Sequence, residues 1–170
     1  MSPNSAIEAV VSGKPEINWF TIGTPWEVFS NFYRATVVLD GVSYMSVEHA
    51  YVAAKTTNLH TREIIRAIEK PGAAKTYGRN RVKLRPDWEE IKIPIMRDLV
   101  GQKFSKYPGL RKALVATDGF YIREGNRHGD QFWGQTWGPE GWVGLNHLGI
   151  ILMETRDKLL KNYTIEFSTE

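Results

Sequence analysis

The chain contains no cysteine. That absence removes disulfides, thiolate zinc ligands and cysteine nucleophiles together, and it agrees with a reducing compartment. No apolar run reaches the roughly 20 residues that a membrane span requires. The opening "MSPNSAIEAVVSGKPE" has neither a basic leader nor a long apolar core, so a soluble, cytoplasmic protein is expected. Histidine is scarce: His49, His60, His128 and His147 are scattered, with no HExxH pair, which argues against a transition-metal site. A GxSxG elbow, a P-loop and a GxGxxG fingerprint are also missing. Neither a metal nor a cofactor is expected.

What is present is enough for one hydrophobic core: 170 residues, 42% hydrophobic and 12% aromatic. The expected organisation is a weakly ordered lead-in at 1–16, a single domain at 17–162 and a tail at 163–170. The net charge is only +3, but it is uneven. Between Lys55 and Lys112 there are 15 Lys or Arg against 6 Asp or Glu, a local +9 that leaves the rest at −6. Clustered cations raise the local concentration of anions, so this stretch suits phosphate-bearing ligands or nucleic acid; a solvated helical surface explains it equally.

Along the chain, "INWFTIG" (17–23) reads as a short strand, and "ATVVLDGVSY" (35–44) as a hairpin turning at Asp40-Gly41. Helices are predicted at 46–57 and 61–69, and from Pro71 to a stop at Gly78. Trp88 to Phe104 keeps helical spacing, although Pro94 should kink it or split it in two. A helix over 108–116, a strand over 119–124 and a helix over 147–161 follow. In the last, Leu148, Ile151, Leu152, Thr155 and Leu159 share a face. Residues 125–146 fit no period and hold six of the 15 glycines and three of the six tryptophans.

Three places could carry chemistry. "SVEHAYVAAK" (46–55) opens a helix with Ser46 as a possible N-cap, yet the capping-box position three residues on is His49, and Glu48 falls one short. Glu48 is therefore either a helix-dipole partner or a functional carboxylate. In the glycine-rich stretch, Asp130 lies beside Phe132 and Trp133, a pairing able to hold a flat heterocycle and present a charge to its sugar, with core filling as the plainer alternative for the tryptophans. In "YGRNRVKLRPDWEE" (77–90), read as an extended loop, Arg79 after Gly78 suits a phosphate, because arginine binds it bidentately and glycine admits the backbone.

Taken in order, "FSNFY" (29–33), "SVEHAYVAAK" (46–55), "YGR" (77–79), "RPDWE" (85–89), "MRDLVGQKF" (96–104), "FWG" (132–134) and "GLNHLGIILMETR" (144–156) resemble the YbiA-like or NADAR family, named for NAD and ADP-ribose association. The resemblance implies a compact, mainly α (α+β) domain with a few short N-terminal and mid-chain strands. It also implies an N-glycosidase that cleaves phosphoribosylamino-pyrimidines of riboflavin synthesis or removes ADP-ribose from guanine in DNA or RNA. Cleavage of a ribose carbon–nitrogen bond passes through an oxocarbenium-like state, which a carboxylate can stabilise or supply with activated water.

On that basis Glu48 and Asp130 are the expected catalytic carboxylates. Asn31 and Asn146 would orient ribose hydroxyls or the base. Trp88, Phe104 and Trp133 would stack; Lys55, Arg79 and Lys103 would hold phosphate; Phe32, Gly78 and Gly134 complete the substrate-binding set. The competing readings are a non-catalytic ADP-ribose or NAD reader and a basic nucleic-acid-binding module.

Overall fold

A computed structural model describes residues 15–167. In chain order the elements are β1 (Glu16–Ile17), a 3-10 helix (Pro25–Phe29), β2 (Val37–Leu39), β3 (Val42–Tyr44), α1 (Val47–Ala54), α2 (Leu59–Ala67), α3 (Pro71–Arg81), α4 (Trp88–Lys106), α5 (Pro108–Val115), β4 (Tyr121–Ile122), β5 (Thr136–Gly138), β6 (Gly141–Val143) and α6 (His147–Phe167). The fold is α+β, with helices dominant and each strand pair only two or three residues long. No described helix is long and apolar enough to cross a membrane. The chain divides into two compact units, Ser30–Pro108 and the remainder on either side of it.

The Ser30–Pro108 unit is built around α1. Every residue of α1 is buried, and α2, α3, α4 and the β2–β3 hairpin all pack on it. A short helix enclosed on all sides needs no polar stripe, and "VEHAYVAA" has none beyond Glu48 and His49. The hairpin turns at Asp40 (φ 50°) and Gly41 (φ 77°), the positive-φ pair that matches the twist of two antiparallel strands.

Two predicted features of this unit are corrected. Gly78 does not end a helix: α3 continues to Arg81, and a Cβ at Gly78 would lie 2.5 Å from Val52 Cγ1. The glycine is there to let α3 close on α1. Consequently Arg79 and Arg81 are helical, not part of an extended loop. Pro94 does not split its segment, since α4 runs as one helix from Trp88 to Lys106. Proline lacks the N–H that would bond the carbonyl of Glu90, but both residues are exposed, so that carbonyl is left on the solvent side.

In the other unit, the predicted strand at 17–23 reduces to Glu16–Ile17, which pairs in parallel with Tyr121–Ile122. Arg123, 1% exposed, ties this pair together: it bonds Glu16, Asn18 and Gln135 and lies over the rings of Tyr121 and Trp142. Glu16 is thereby held below the usual carboxylate range, chiefly by its hydrogen bond from Arg123. α6 buries Leu148, Ile151, Leu152, Thr155 and Leu159, the predicted face, and its helical backbone continues to Phe167, into the segment read as a tail. The stretch 125–146 conceals a hairpin, β5–β6, with Trp137 opposite Trp142. Trp137 is 67% exposed and fills no core.

Candidate active site

Glu48 stands in the first turn of α1, and its neighbours explain why it is not a cap. Ser46 is the N-cap, its hydroxyl accepting from the N–H of His49. His49, at the third helical position, adds a side-chain contact to the same cap, its Nδ1 lying 2.7 Å from Ser46 Oγ. His49 Nε2 is 3.0 Å from the carbonyl oxygen of Ile68, so Nε2 donates and Nδ1 accepts. Burial lowers the His49 pKa, the Ile68 carbonyl partly opposing this, which keeps the ring neutral in that tautomer.

The Glu48 backbone N–H donates to the carbonyl of Asn31, and the residue as a whole is 7% exposed. Three and seven residues along the same helix face come Tyr51 and Lys55. Tyr51 packs against Trp88 at 5.1 Å between ring centroids, and the Lys55 ammonium lies over both rings at 5.5 and 5.9 Å. Burial pulls the Lys55 pKa down, the charge of Glu48 pushes it back up, and Lys75 lowers it again. Carboxylate, ammonium and two aromatic rings thus share one wall. Tyr51 was missed in the sequence, although its spacing between Glu48 and Lys55 marks the same face.

The remaining expected residues of this unit separate into accessible and interior. Asn31 is buried and donates weakly from Nδ2 to the Met96 sulfur at 3.4 Å. Phe32 is 41% exposed with Lys75 over its ring. Arg79 is exposed on α3 and makes no ion pair among the described residues. Phe104 is fully buried and Trp88 is only 6% exposed, so neither offers an open ring face for the expected stacking. Gly78 is likewise buried against Val52, so its backbone does not approach a phosphate.

Lys103 is also interior rather than poised at a surface. Its ammonium donates to the carbonyl of Ser30 at 2.8 Å and lies over the rings of Tyr33 and Phe104. Burial lowers its pKa to about 7. It pins the 30–33 loop, the same loop whose Asn31 receives Glu48.

In the other unit, Asp130 uses its Oδ1 to accept from the backbone N–H groups of Phe132 and Trp133, at 3.1 and 2.9 Å. Asn126 clamps the Asp130 backbone from both sides, accepting from its N–H and donating to its carbonyl. The half-buried Trp133 meets Phe132 edge-on, and both lie near His147. Gly134 is buried where a Cβ would collide with the Glu124 carbonyl. Asn146 adopts φ 53°, donates from Nδ2 to Ile122 O and Tyr121 Oη, and accepts from Glu124 N–H. Its amide is therefore a fastener between β4 and the start of α6. Among the described residues no group of three or more His, Asp or Glu could hold a metal ion.

The NADAR domain profile matches residues 19–160. The chain is 35% identical over 144 residues to the N-glycosidase YbiA of Escherichia coli, covering 84% of this chain and 88% of that protein. It is 33% identical to an N-glycosidase of Nostoc punctiforme, covering 84% and 92%. It is also 34% identical to the chloroplastic riboflavin biosynthesis protein PYRR of Zea mays, covering 91% of this chain and 28% of that protein. The NMR structure of E. coli YbiA superposes with a TM-score of 0.76 at 34% identity, over 89% and 88% of the two chains. The chain belongs to the NADAR family.

Proposed function

We propose that the chain hydrolyses the ribose C1′–N bond of an anionic N-glycoside, either a phosphoribosylamino-pyrimidine or an ADP-ribosylated guanine, with Glu48 as the working carboxylate. The enzyme class is that of its named relatives, an N-glycosidase. The observation that carries the residue assignment is the α1 wall: a buried carboxylate whose charge acts on the Lys55 ammonium, beside the Tyr51–Trp88 pair. In the reaction the C1′–N bond breaks, its electron pair and a proton go to the leaving nitrogen, and water forms the new C1′–O bond. Glu48 would accept the proton of that water or face the cationic carbon. Lys55 and Arg79 would meet phosphate oxygens, the exposed Phe32 ring the heterocycle, and Asn31 a ribose hydroxyl, with the Tyr51–Trp88 pair holding the Lys55 ammonium.

Asp130 takes a positioning role in this reading, because one of its oxygens organises the turn that carries Phe132 and Trp133. The test follows base release by mass spectrometry from both substrates, for the wild type and Glu48→Gln. Release from one substrate, abolished in the variant, supports the reading and selects the substrate. Normal turnover by Glu48→Gln removes Glu48 from the mechanism. Saturable ADP-ribose binding with no release from either substrate selects a reader instead.

A further inference from the structure

We propose that the outward face of α3 and the segment that leaves it form a binding groove for single-stranded nucleic acid. From Lys70 to Arg85 the chain carries six cations and no acid. Arg85 is paired with Asp87 at 2.6 Å. Lys70, Lys75, Arg79, Arg81 and Lys83 are all exposed, and none makes an ion pair among the described residues. Five unneutralised cations along one short segment are a sequence-independent anchor for phosphates.

The same helix borders an open groove of about 630 Å³ lined by Ile68, Ala73, Thr76, Tyr77, Asn80 and Arg81. At 100° per residue, Thr76 and Asn80 occupy the middle of the outward face, with Lys75 and Arg79 along one edge and Arg81 along the other. A floor of Ile68, Ala73 and the Tyr77 ring accepts the flat apolar face of a base, and the Asn80 amide can reach a base edge. Duplex nucleic acid would bring phosphates to the edges but no unstacked base to the floor. An acidic peptide would satisfy the cations and leave floor and amide unused. This inference does not require Glu48 and holds whether or not the bound strand carries the scissile bond.

The test is fluorescence anisotropy of the full chain with a labelled single strand of about twelve nucleotides across a salt series, against the same sequence as duplex and against polyglutamate. Single strand should bind best. Replacing Arg81 and Lys83 together by glutamine should reduce the log–log salt slope by about 1.4, at about 0.7 for each lost contact. Tyr77→Leu should weaken single-strand binding by about tenfold, and Tyr77→Phe should restore it. Glu48→Gln should bind the strand like the wild type, and the Arg81/Lys83 double variant should still cleave a small phosphoribosylated substrate. Those two controls separate failure of this groove from failure of the glycosidase reading. The proposal is overturned by absence of salt-sensitive binding, by equal binding of duplex or polyglutamate, or by an unchanged slope in the double variant.

Discussion

Glu48 stands in the first turn of a helix packed on every side, whereas Asp130 sits in an aperiodic stretch and turns one oxygen back onto the N–H groups of Phe132 and Trp133. In the first case the helices and the hairpin packed around α1 fix the backbone that carries the carboxylate. In the second the carboxylate is part of what builds the loop. A carboxylate oxygen committed to holding its own turn has less to offer a substrate, which is the physical reason for proposing Glu48 rather than Asp130 as the reacting group. Next to Glu48, His49 meets the Ser46 N-cap hydroxyl through both its backbone N–H and its ring.

The comparison is sharpened most by neutralising each carboxylate without changing its shape. Glu48→Gln should lower kcat by about 10²- to 10⁴-fold, the usual worth of a positioned acid or base. Asp130→Asn retains an acceptor for the two N–H groups and should stay within about tenfold of wild type, as expected of a positioning residue. Equal losses in the two variants would break the contrast and return Asp130 to the reacting centre. Loss of the Glu48 charge should also lower the Lys55 pKa further, since that negative charge is what holds it up. The alkaline limb of substrate binding in Glu48→Gln should accordingly move to lower pH.

Next in size is the pH dependence contributed by Lys103, which pins the loop that receives Glu48. Its folded pKa of about 7 lies below the ordinary value of 10.5. Between those limits the unfolded chain binds a proton that the folded chain does not, so stability rises with pH, by at most about 1.4 kcal/mol per unit. Below the folded pKa both states are protonated and the burial penalty is present in full. Lys103→Met removes the titration. Its stability advantage over wild type should therefore be greatest near pH 6 and shrink toward pH 9, as read by denaturant unfolding. A pH-independent difference would mean that the Ser30 carbonyl and the Tyr33 and Phe104 rings hold the ammonium charged throughout.

Legibility followed periodicity and local turn chemistry. The Asp40-Gly41 hairpin and the buried face of α6 were readable because each is specified by neighbours in sequence. The Glu48–Tyr51–Lys55 face was readable in part, by helical spacing. Gly78, Lys103 and Asn146 were not, because their roles are set by partners 26, 73 and 24 positions away: Val52, Ser30 and Ile122. A helical glycine looks like a stop until the helix it packs against is known. Gly78→Ala tests this directly. Helix propensity alone would favour alanine by about 1 kcal/mol, but the new methyl meets Val52, and overpacking should leave a net loss of about 1–3 kcal/mol. Val52→Ala should be worth less destabilisation in that background than in wild type, a coupling that a double-mutant cycle measures.

The smallest effect expected separates the two substitutions at Asp130. Alanine removes the acceptor for Phe132 N–H and Trp133 N–H, while asparagine keeps it. By analogy with loss of a helix cap, Asp130→Ala should cost about 1 kcal/mol and Asp130→Asn only a few tenths. Urea unfolding resolves that difference, and near-ultraviolet circular dichroism of Trp133 reports whether the turn has loosened. If alanine and asparagine were equally destabilising, the charge rather than the acceptor would hold the loop. Asp130 would then resemble Glu48 more closely than its two backbone hydrogen bonds suggest, and its second oxygen would become the place to look for chemistry.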